Sequence, residues 1–255
     1  MKKRKFTEHK KITLAKIGLL IILIISFVYV SFFNVPRGIV SLTFDDGYEN
    51  FYNIAYPIMK DYNYTGTVYL ITNWSGDFEE RKLMNFSEAK ILQSNGWEIG
   101  SHTLNHKRLS NLSDKEIAFE LSESKKLLKE NGFEVNSLSL PFGDYSENID
   151  KIAKKDYSSI RLMKAGYNSL VWTDNHHLIS NQVKLEDNAP QICLLIDDAI
   201  KNRKWVIINF HFVDYNESKI WDVSVDDFKE ILDCINRTGV QVMNVNSVVK
   251  KYGKK

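Results

Sequence analysis

The sequence contains little cysteine and lacks the motifs of several functional classes. Among 255 residues there are two cysteines, Cys193 and Cys234, too few for a disulfide framework or a cysteine-rich metal site. Cys234 lies in a helical run and is expected to be a buried thiol, although a single disulfide is compatible with an exported protein. No internal repeat or low-complexity tract is visible, and no glycine-rich phosphate-binding loop follows the first predicted strand. Nucleotide binding is therefore unsupported.

Positive charge is concentrated at the N-terminus. Residues 1–35 carry a net charge of +6, so the remainder of the chain, whose total is +2, carries −4. A mildly acidic domain without a basic stripe interleaved with aromatic residues is a poor nucleic-acid binder. We therefore expect no nucleic-acid partner, and we attribute the basic residues to membrane topology.

An uncharged apolar run, residues 17–33, follows the basic cluster. At ~1.5 Å per residue, a helix through this run and its flanks can span a bilayer core of ~30 Å. The preceding positive charges favour a cytoplasmic N-terminus. We expect a basic cytoplasmic segment at 1–16, a single transmembrane signal anchor at 17–35 and an extracellular catalytic domain at 36–255. The alternatives are a cleaved signal peptide, which would give a secreted protein, and a buried soluble helix.

Strand and helix patterns alternate through the rest of the chain. Helices are predicted between the strands, one of them at 146–166, and residues 174–192 are mostly irregular. Continuously apolar strands that alternate with helices indicate a parallel sheet covered by helices, and hence the α/β class. About seven such units favour an irregular (β/α) barrel over an open sheet, although the sequence leaves closure open. The predicted strands are 38–44, 66–72, 97–101, 135–140, 167–173, 205–212 and 240–245.

Polar residues follow four of the predicted strands. Because the C-terminal ends of parallel barrel strands open on one face, where catalytic groups collect, we expect these residues to converge. In chain order the clusters are Asp45-Asp46-Gly47, His102 with His106, Pro141-Phe142-Gly143, and His211.

Two of these clusters suggest a metal site. Adjacent carboxylates at a strand end point in different directions, so that one can bind a cation while the other faces the substrate. If Ser101 caps a helical turn, His102 and His106 lie at i and i+4 on one face and can reach the same ion. One aspartate and two histidines leave a position for water, as in catalytic sites. An ordinary Asp-Gly turn and two unrelated surface histidines are the competing interpretation.

Four segments then resemble the NodB-homology polysaccharide deacetylases, carbohydrate esterase family four, over roughly residues 38–250. The sequences around the third and fourth segments resemble those of the branch that deacetylates poly-β-1,6-N-acetylglucosamine, the biofilm adhesin. The four segments are Thr-Phe-Asp-Asp-Gly (43–47), Ser-His-Thr-Leu-Asn-His (101–106), Leu-Pro-Phe-Gly (140–143) and Ile-Asn-Phe-His (208–211).

This resemblance implies a role for each matched residue. Asp45 would be the general base and His211 the general acid. A divalent metal, usually zinc with cobalt or nickel as alternatives, would be held by Asp46, His102 and His106. The backbone N–H of Phe142 would help to form an oxyanion hole, and Ile208 would line the acetyl pocket.

Two departures accompany the resemblance. Ser139 stands where many members have an arginine that orients the base, which leaves the orientation of Asp45 open. The fourth motif of the family is not clear either. The weaker groove candidates are Pro141, Tyr145, Trp172 and Asp174, and Trp74 and Trp221 are further aromatic residues that could stack on sugar rings.

The resemblance implies hydrolysis of N-acetyl groups from N-acetylglucosamine units of an extracellular or cell-wall polysaccharide, with release of acetate. Poly-N-acetylglucosamine is the favoured substrate. The alternatives are a non-catalytic carbohydrate-binding protein on the same scaffold, and a deacetylase of peptidoglycan or chitin oligomers.

Overall fold

The computed structural model describes residues 16–23, 26, 36–73, 77–216 and 219–253. The chain divides into two compact units, Met1–Pro36 and Arg37–Lys255. In the part of the chain that is described, no helix has the length and apolar character needed to cross a membrane. Most of the anchor predicted at 17–35 lies outside the described residues, so the anchor stays a prediction.

The second unit contains twelve strands among its described residues. Seven of them form a parallel barrel, in which the pairing of the first strand with the ninth, from Ile39 opposite Trp205 to Phe44 opposite Phe210, closes the sheet. The twelfth strand pairs with the start of the first, at Ile39 and Val40, before the second strand pairs with it at Thr43 and Phe44. The strands are β1 (Ile39–Phe44), β2 (Thr67–Leu70), β3 (Asp77–Phe78), β4 (Arg81–Lys82), β5 (Glu98–Ser101), β6 (Ser137–Ser139), β7 (Ser159–Met163), β8 (Leu178–Gln182), β9 (Trp205–Phe210), β10 (Phe212–Asp214), β11 (Asp222–Ser224) and β12 (Gln241–Val242). The barrel consists of β1, β2 and β5 to β9.

Helices follow most of the barrel strands. Their starts agree with local chemistry: Ser113 and Glu116 form the predicted capping box of the longest helix, and Ser224 caps another by accepting from the N–H of Asp227. A π-helical turn, Phe51–Ala55, leads into the first helix. The helices are α1 (Tyr56–Asp61), α2 (Phe86–Ser94), α3 (Asp114–Glu130), α4 (Glu147–Ala153), α5 (Ala189–Lys201), α6 (Val225–Thr238) and α7 (Val245–Tyr252).

The main apolar core includes the layer between the sheet and the helices. Phe210 of β9 belongs to this core. The centroid of its ring lies 5.3 Å from that of Phe44 and 5.2 Å from that of Phe228 of α6. Because side chains alternate along a strand, Ile208 points the same way and Asn209 points into the barrel. This alternation decides which residues can reach the site.

Three predicted elements in the middle of the chain were wrong. The helix predicted at 146–166 ends at Ala153, and its last third contains β7. The strand predicted at 167–173 is a loop in which Asn168 makes an isolated bridge to Trp205, and β8 lies in the segment predicted to be irregular. Short, fully buried strands carry no alternating pattern, so periodicity alone cannot separate them from a buried helical segment.

Cys193 of α5 and Cys234 of α6 form a disulfide. Cys234 is buried, as predicted, but it is bonded rather than a free thiol. The bridge joins two neighbouring helices of the outer layer and closes a loop of 41 residues.

Candidate active site

The structure brings six of the predicted site residues around one cavity of 290 Å³. They come from four places, each just beyond the C-terminal end of a barrel strand, as expected for a parallel barrel. The six residues are Asp45, Asp46, His102, His106, Phe142 and His211.

A sharp turn after β1 separates the two aspartates. Asp46 and Gly47 both adopt left-handed backbone conformations, with φ of +67° and +79°. The left-handed backbone at Gly47 favours glycine, and a Cβ atom there would also lie 2.6 Å from Leu70 Cδ2, which would have to move. The turn lets two consecutive carboxylates reach different neighbours.

Asp46, His102 and His106 form a group that fits a divalent metal. Asp46 Oδ1 lies 3.5 Å from His102 Nε2 and 3.4 Å from His106 Nε2, and one ligand atom from each residue falls within 4.8 Å of the others. A tetrahedral ion with bonds of ~2.0–2.1 Å has ligand–ligand separations of roughly 3.3–3.4 Å. Among the described residues, Asp46 Oδ1 is buried without a hydrogen-bond partner. The donor set therefore fits zinc or a similar ion.

The histidines present the correct nitrogen to this position. His102 Nδ1 lies 2.8 Å from the carbonyl oxygen of Ser139, and because a carbonyl only accepts, Nδ1 carries the proton and Nε2 keeps its lone pair. Burial lowers the pKa of His102, and it lowers the pKa of His106 to about 3. Both rings are neutral at pH 7, the form that binds metals.

The helical turn predicted to bring the two histidines together was wrong. Ser101 is the last residue of β5, and Thr103 and His106 have left-handed backbones with φ of +67° and +54°. Ser101 Oγ accepts from the N–H of Thr103, and Thr103 Oγ1 accepts from the N–H of His106. A hydroxyl-stabilised loop thus replaces the helical turn and brings both rings to Asp46.

Asp45 has an asymmetric environment. Its Oδ2 accepts from a guanidinium nitrogen of Arg161 and from Asn209 Nδ2 at 3.1 Å, and lies 3.8 Å from His211 Nε2. Its Oδ1 has no hydrogen-bond partner among the described residues. Burial raises the pKa of Asp45, but Arg161, His102 and His211 outweigh burial and lower it to about 2. Asp45 is therefore ionised at neutral pH.

His211 follows β9, and its ring lies 5.3 Å from that of Trp221. Burial lowers the pKa of His211 to about 4, although the Asp45 carboxylate acts in the opposite direction. The ring is neutral at pH 7 in the free protein. It faces the cavity beside Asp45, which is compatible with proton transfer at this point.

Phe142 lies in a short 3₁₀ turn after β6 with φ of +60°, a conformation that is rare for a bulky residue. Its ring lies 4.8 Å from that of His106, and the guanidinium of Arg108 lies 4.4 Å from its centroid. Strained residues of this kind cluster at functional sites, because the surrounding structure must hold them.

Other predicted residues are placed elsewhere. Ile208 faces the core on the helix side rather than the cavity, because Asn209 takes the inward position. Tyr145 contacts His177, which pairs with Asp174 at 3.0 Å in a separate surface cluster. Trp172 is 74% exposed, and among the described residues neither it nor Pro141, Tyr145 or Asp174 lines the catalytic cavity. Trp221 lines it, and Trp74 lies outside the described residues.

Two residues that donate hydrogen bonds to Asp45 were missed. Arg161 was assigned to a helix, and Asn209 was not considered. The available signal was one charged residue between Ile160 and Leu162, since a charge within an apolar run must find a partner if the run is buried.

Comparisons with known proteins agree with this geometry. The sequence model of the family described as polysaccharide deacetylase matches residues 34–157. A Bacillus subtilis protein named "Putative polysaccharide deacetylase YxkH" is 34% identical over 118 residues, which are 46% of this chain and 41% of that protein. The poly-beta-1,6-N-acetyl-D-glucosamine N-deacetylase of Staphylococcus aureus is 29% identical over 132 residues, 47% of this chain and 46% of that protein. The chain thus spans less than half the length of these relatives.

Solved structures show the same fold. The carbohydrate esterase domain of a multidomain xylanase, from the hindgut metagenome of Trinervitermes trinervoides, has a TM-score of 0.61 at 17% identity and covers 84% of this chain and 90% of its own. A pseudoenzyme of the same esterase family from Bacillus anthracis has a TM-score of 0.58 at 15% identity. The match covers 87% of this chain and 68% of the pseudoenzyme chain. The matched segment, residues 34–157, and the barrel fold together make this chain similar to the polysaccharide deacetylases, and the Asp-His-His group lies within that matched segment.

Proposed function

We propose that this protein is a metal-dependent hydrolase that removes N-acetyl groups from N-acetylglucosamine units of a polysaccharide and releases acetate. The observation that carries the proposal is the junction of two sites in one cavity. A metal-binding group formed by Asp46, His102 and His106 lies directly beside an ionised, buried base, Asp45. This arrangement suits metal-assisted hydrolysis of an amide.

A divalent ion at Asp46, His102 and His106 would polarise the acetamide carbonyl and lower the pKa of water. The residues of this chain carry the proton transfers. Asp45 takes a proton through Oδ1, the oxygen without a protein partner. His211 donates a proton to the departing amine, which needs an acid because an amine anion is a poor leaving group. The backbone N–H of Phe142 would stabilise the oxyanion.

The pKa of His211 constrains this scheme. Since burial lowers it to about 4, the ring is neutral in the free protein at pH 7. His211 therefore acts as an acid only after it has gained a proton within the reaction cycle. The proton that Asp45 has taken from water is the one available to it, since Asp45 Oδ2 lies 3.8 Å from His211 Nε2. Once Asp45 has given up that proton, its carboxylate stabilises the resulting imidazolium until His211 passes the proton to the amine.

Poly-N-acetylglucosamine is the substrate we favour, because the Staphylococcus aureus relative is named for that activity. A second cavity of 430 Å³ shares Asp46 with the catalytic one, and its walls include Leu70, Leu83 and Met84. A mainly apolar cavity of this size provides room for a neighbouring sugar of a polymer.

We also propose that the catalytic domain lies outside the cell, held by the N-terminal anchor or released after cleavage. The disulfide between Cys193 and Cys234 supports this location, because disulfides persist in oxidising compartments. Labelling of intact cells with a membrane-impermeant reagent tests this location. If the domain is labelled only after the cells are lysed, the proposal is overturned.

A non-catalytic carbohydrate-binding protein is the second candidate, since a pseudoenzyme shares the fold. The presence of Asp45, Asp46, His102, His106 and His211 together in one cavity argues against it.

Acetate release from poly-N-acetylglucosamine, measured with and without added Zn²⁺, separates the two candidates. We expect metal-dependent acetate that is lost in Asp45→Asn and His102→Ala. If the folded, metal-loaded protein releases none, this substrate is discarded. If peptidoglycan and chitin oligomers also release none, the binding protein becomes the better account.

A further inference from the structure

The two oxygens of the Asp45 carboxylate are treated differently by the protein. Arg161 and Asn209 both donate to Oδ2, the latter at 3.1 Å, whereas Oδ1 is buried and has no partner among the described residues. A carboxylate turns about its last side-chain bond with a broad, twofold preference. Nothing in the Asp45 side chain itself would select one oxygen for chemistry.

Both donors are held by further contacts. The Arg161 side chain is completely buried in β7, where it donates to Ser180 Oγ at 2.7 Å and contacts Ser139 Oγ. Asn209 of β9 accepts from Thr43 Oγ1 at 2.7 Å. Each donor is thus fixed within the barrel from a different strand, and neither can follow the carboxylate if it rotates.

We infer that Arg161 and Asn209 are positioning residues that hold Oδ2 of Asp45 and so reserve Oδ1 for proton transfer. The inference rests on the proposed role of Asp45 as the base. A base must lie within hydrogen-bond reach of the proton that it removes. A displacement of about 1 Å at such a site can cost ~10²-fold in rate. Two donors to the same oxygen, held by different strands, restrict that displacement.

A purely structural ion pair is the competing account. Removing Arg161 would leave the Asp45 charge buried and unpaired, which destabilises a fold whether or not the pair serves chemistry. Asn209 separates the accounts better, because it is neutral and its replacement leaves the ion pair intact. Asn209→Leu keeps the branched shape of the side chain, although with a larger volume, and removes its hydrogen bonds.

Asn181 offers a matched control. It is also a buried asparagine in a barrel strand, β8, but its amide donates to the carbonyl oxygens of Gly166 and Ile207 rather than to Asp45. Asn181→Leu should therefore destabilise the fold to a similar extent without moving the base.

The experiment compares Asn209→Leu, Arg161→Lys and Asn181→Leu in the full chain. The readouts are kcat and KM for acetate release, the Kd for Zn²⁺ by calorimetry, and Tm. For Asn209→Leu and Arg161→Lys we expect kcat to fall by ~10- to 100-fold with KM and Kd within about threefold. Lysine keeps the charge but loses the planar fork, so it should not restore kcat. Asn181→Leu should retain kcat.

Three results would overturn the inference: an equal kcat loss in Asn181→Leu, a parallel change in the Kd for Zn²⁺, or full activity in Asn209→Leu. A crystal structure of Asn209→Leu supplies a readout independent of activity, and we expect the Asp45 carboxylate to turn or to adopt two orientations. If the wild type releases no acetate from any glycan, the proposed function fails. An unchanged orientation of Asp45 in the crystal structure of Asn209→Leu would separately reject the positioning role of Asn209.

Discussion

Asp45 and Asp46 are adjacent in the chain, yet the environments of their carboxylates shift their pKa values in opposite directions. Arg161, His102 and His211 outweigh burial at Asp45 and lower its pKa to about 2. At Asp46, burial together with the Asp45 and Glu79 carboxylates raises the pKa well above its usual value. A bound divalent cation would supply Asp46 with the positive charge that Arg161 supplies to Asp45. This division matches the roles proposed for the pair, with Asp45 as an ionised base and Asp46 as a metal ligand.

Asp46→Ala should abolish tight zinc binding. Loss of a residue that hydrogen-bonds to a metal ligand already weakens metal affinity by about 10- to 100-fold. Loss of a ligand itself should therefore weaken it by more than ~100-fold. Calorimetry with Zn²⁺ measures the change. Glu79→Gln is the control, because Glu79 lines the same cavity without belonging to the metal-binding group, and its affinity should stay within about threefold. Equal losses in both variants would contradict the assignment.

Asp45→Asn should separate catalysis from metal binding. We expect kcat to fall by ~10²- to 10⁴-fold, the usual contribution of general base catalysis. Zn²⁺ affinity should be nearly unchanged, since Asp46 provides the carboxylate oxygen of the metal group. Acetate release and calorimetry on the same preparation test both parts. A variant that keeps full kcat would show that another group is the base.

The pH profile should depend on Arg161. Because the pKa of Asp45 is about 2, the base remains ionised between about pH 5 and 8, and acid should not inactivate it in that range. In Arg161→Met the main cation is gone while burial, which raises the pKa, remains. The acid limb of kcat/KM should therefore move to higher pH. Arg237→Met, which removes an exposed cation from α6, should leave the limb in place.

Glu98 should make stability decrease as pH rises. Burial raises its pKa above the reference value of 4.5, despite hydrogen bonds from Ser137, Asn246 and Thr67. Since the folded state binds this proton more tightly than the unfolded state, the stabilisation is full below about pH 4.5 and is lost as pH rises through the folded pKa. Urea unfolding at a series of pH values above about 4.5 should show that the free energy of unfolding of the wild type decreases as pH rises. The decrease should be smaller in Glu98→Gln. Exposed Glu130→Gln should follow the wild type.

Removing the disulfide should destabilise the domain. For a closed loop of 41 residues, chain entropy gives about 4 kcal/mol. In a domain of this size that corresponds to a decrease in Tm of roughly 8–16 °C. Calorimetry of Cys193→Ser/Cys234→Ser measures it, and acetate release below the new Tm should be unaffected. Two titratable thiols in the non-reduced wild type would contradict the bridge.

Much of the site followed from local sequence. Asp45-Asp46-Gly47, His102 with His106, and His211 each stand immediately after an apolar strand, and parallel strands must present such positions on one face. The structure shows a different backbone path for one of these residues from the path predicted. His106 reaches Asp46 through a left-handed loop stabilised by Thr103, not through a helix, because hydroxyl side chains offer the backbone alternative partners.

The sequence by itself determined the order of strands and helices over most of the chain and the chemistry of the metal group, because both depend on residue type and short spacing. Only the tertiary structure decided that β1 and β9 close the barrel and that Cys193 meets Cys234. It also decided that Arg161 of β7 approaches Asp45 beside Ser139, the residue that stands where many polysaccharide deacetylases have an arginine. These contacts join residues far apart in the chain, and such pairings depend on strand register and side-chain direction, which no local pattern encodes.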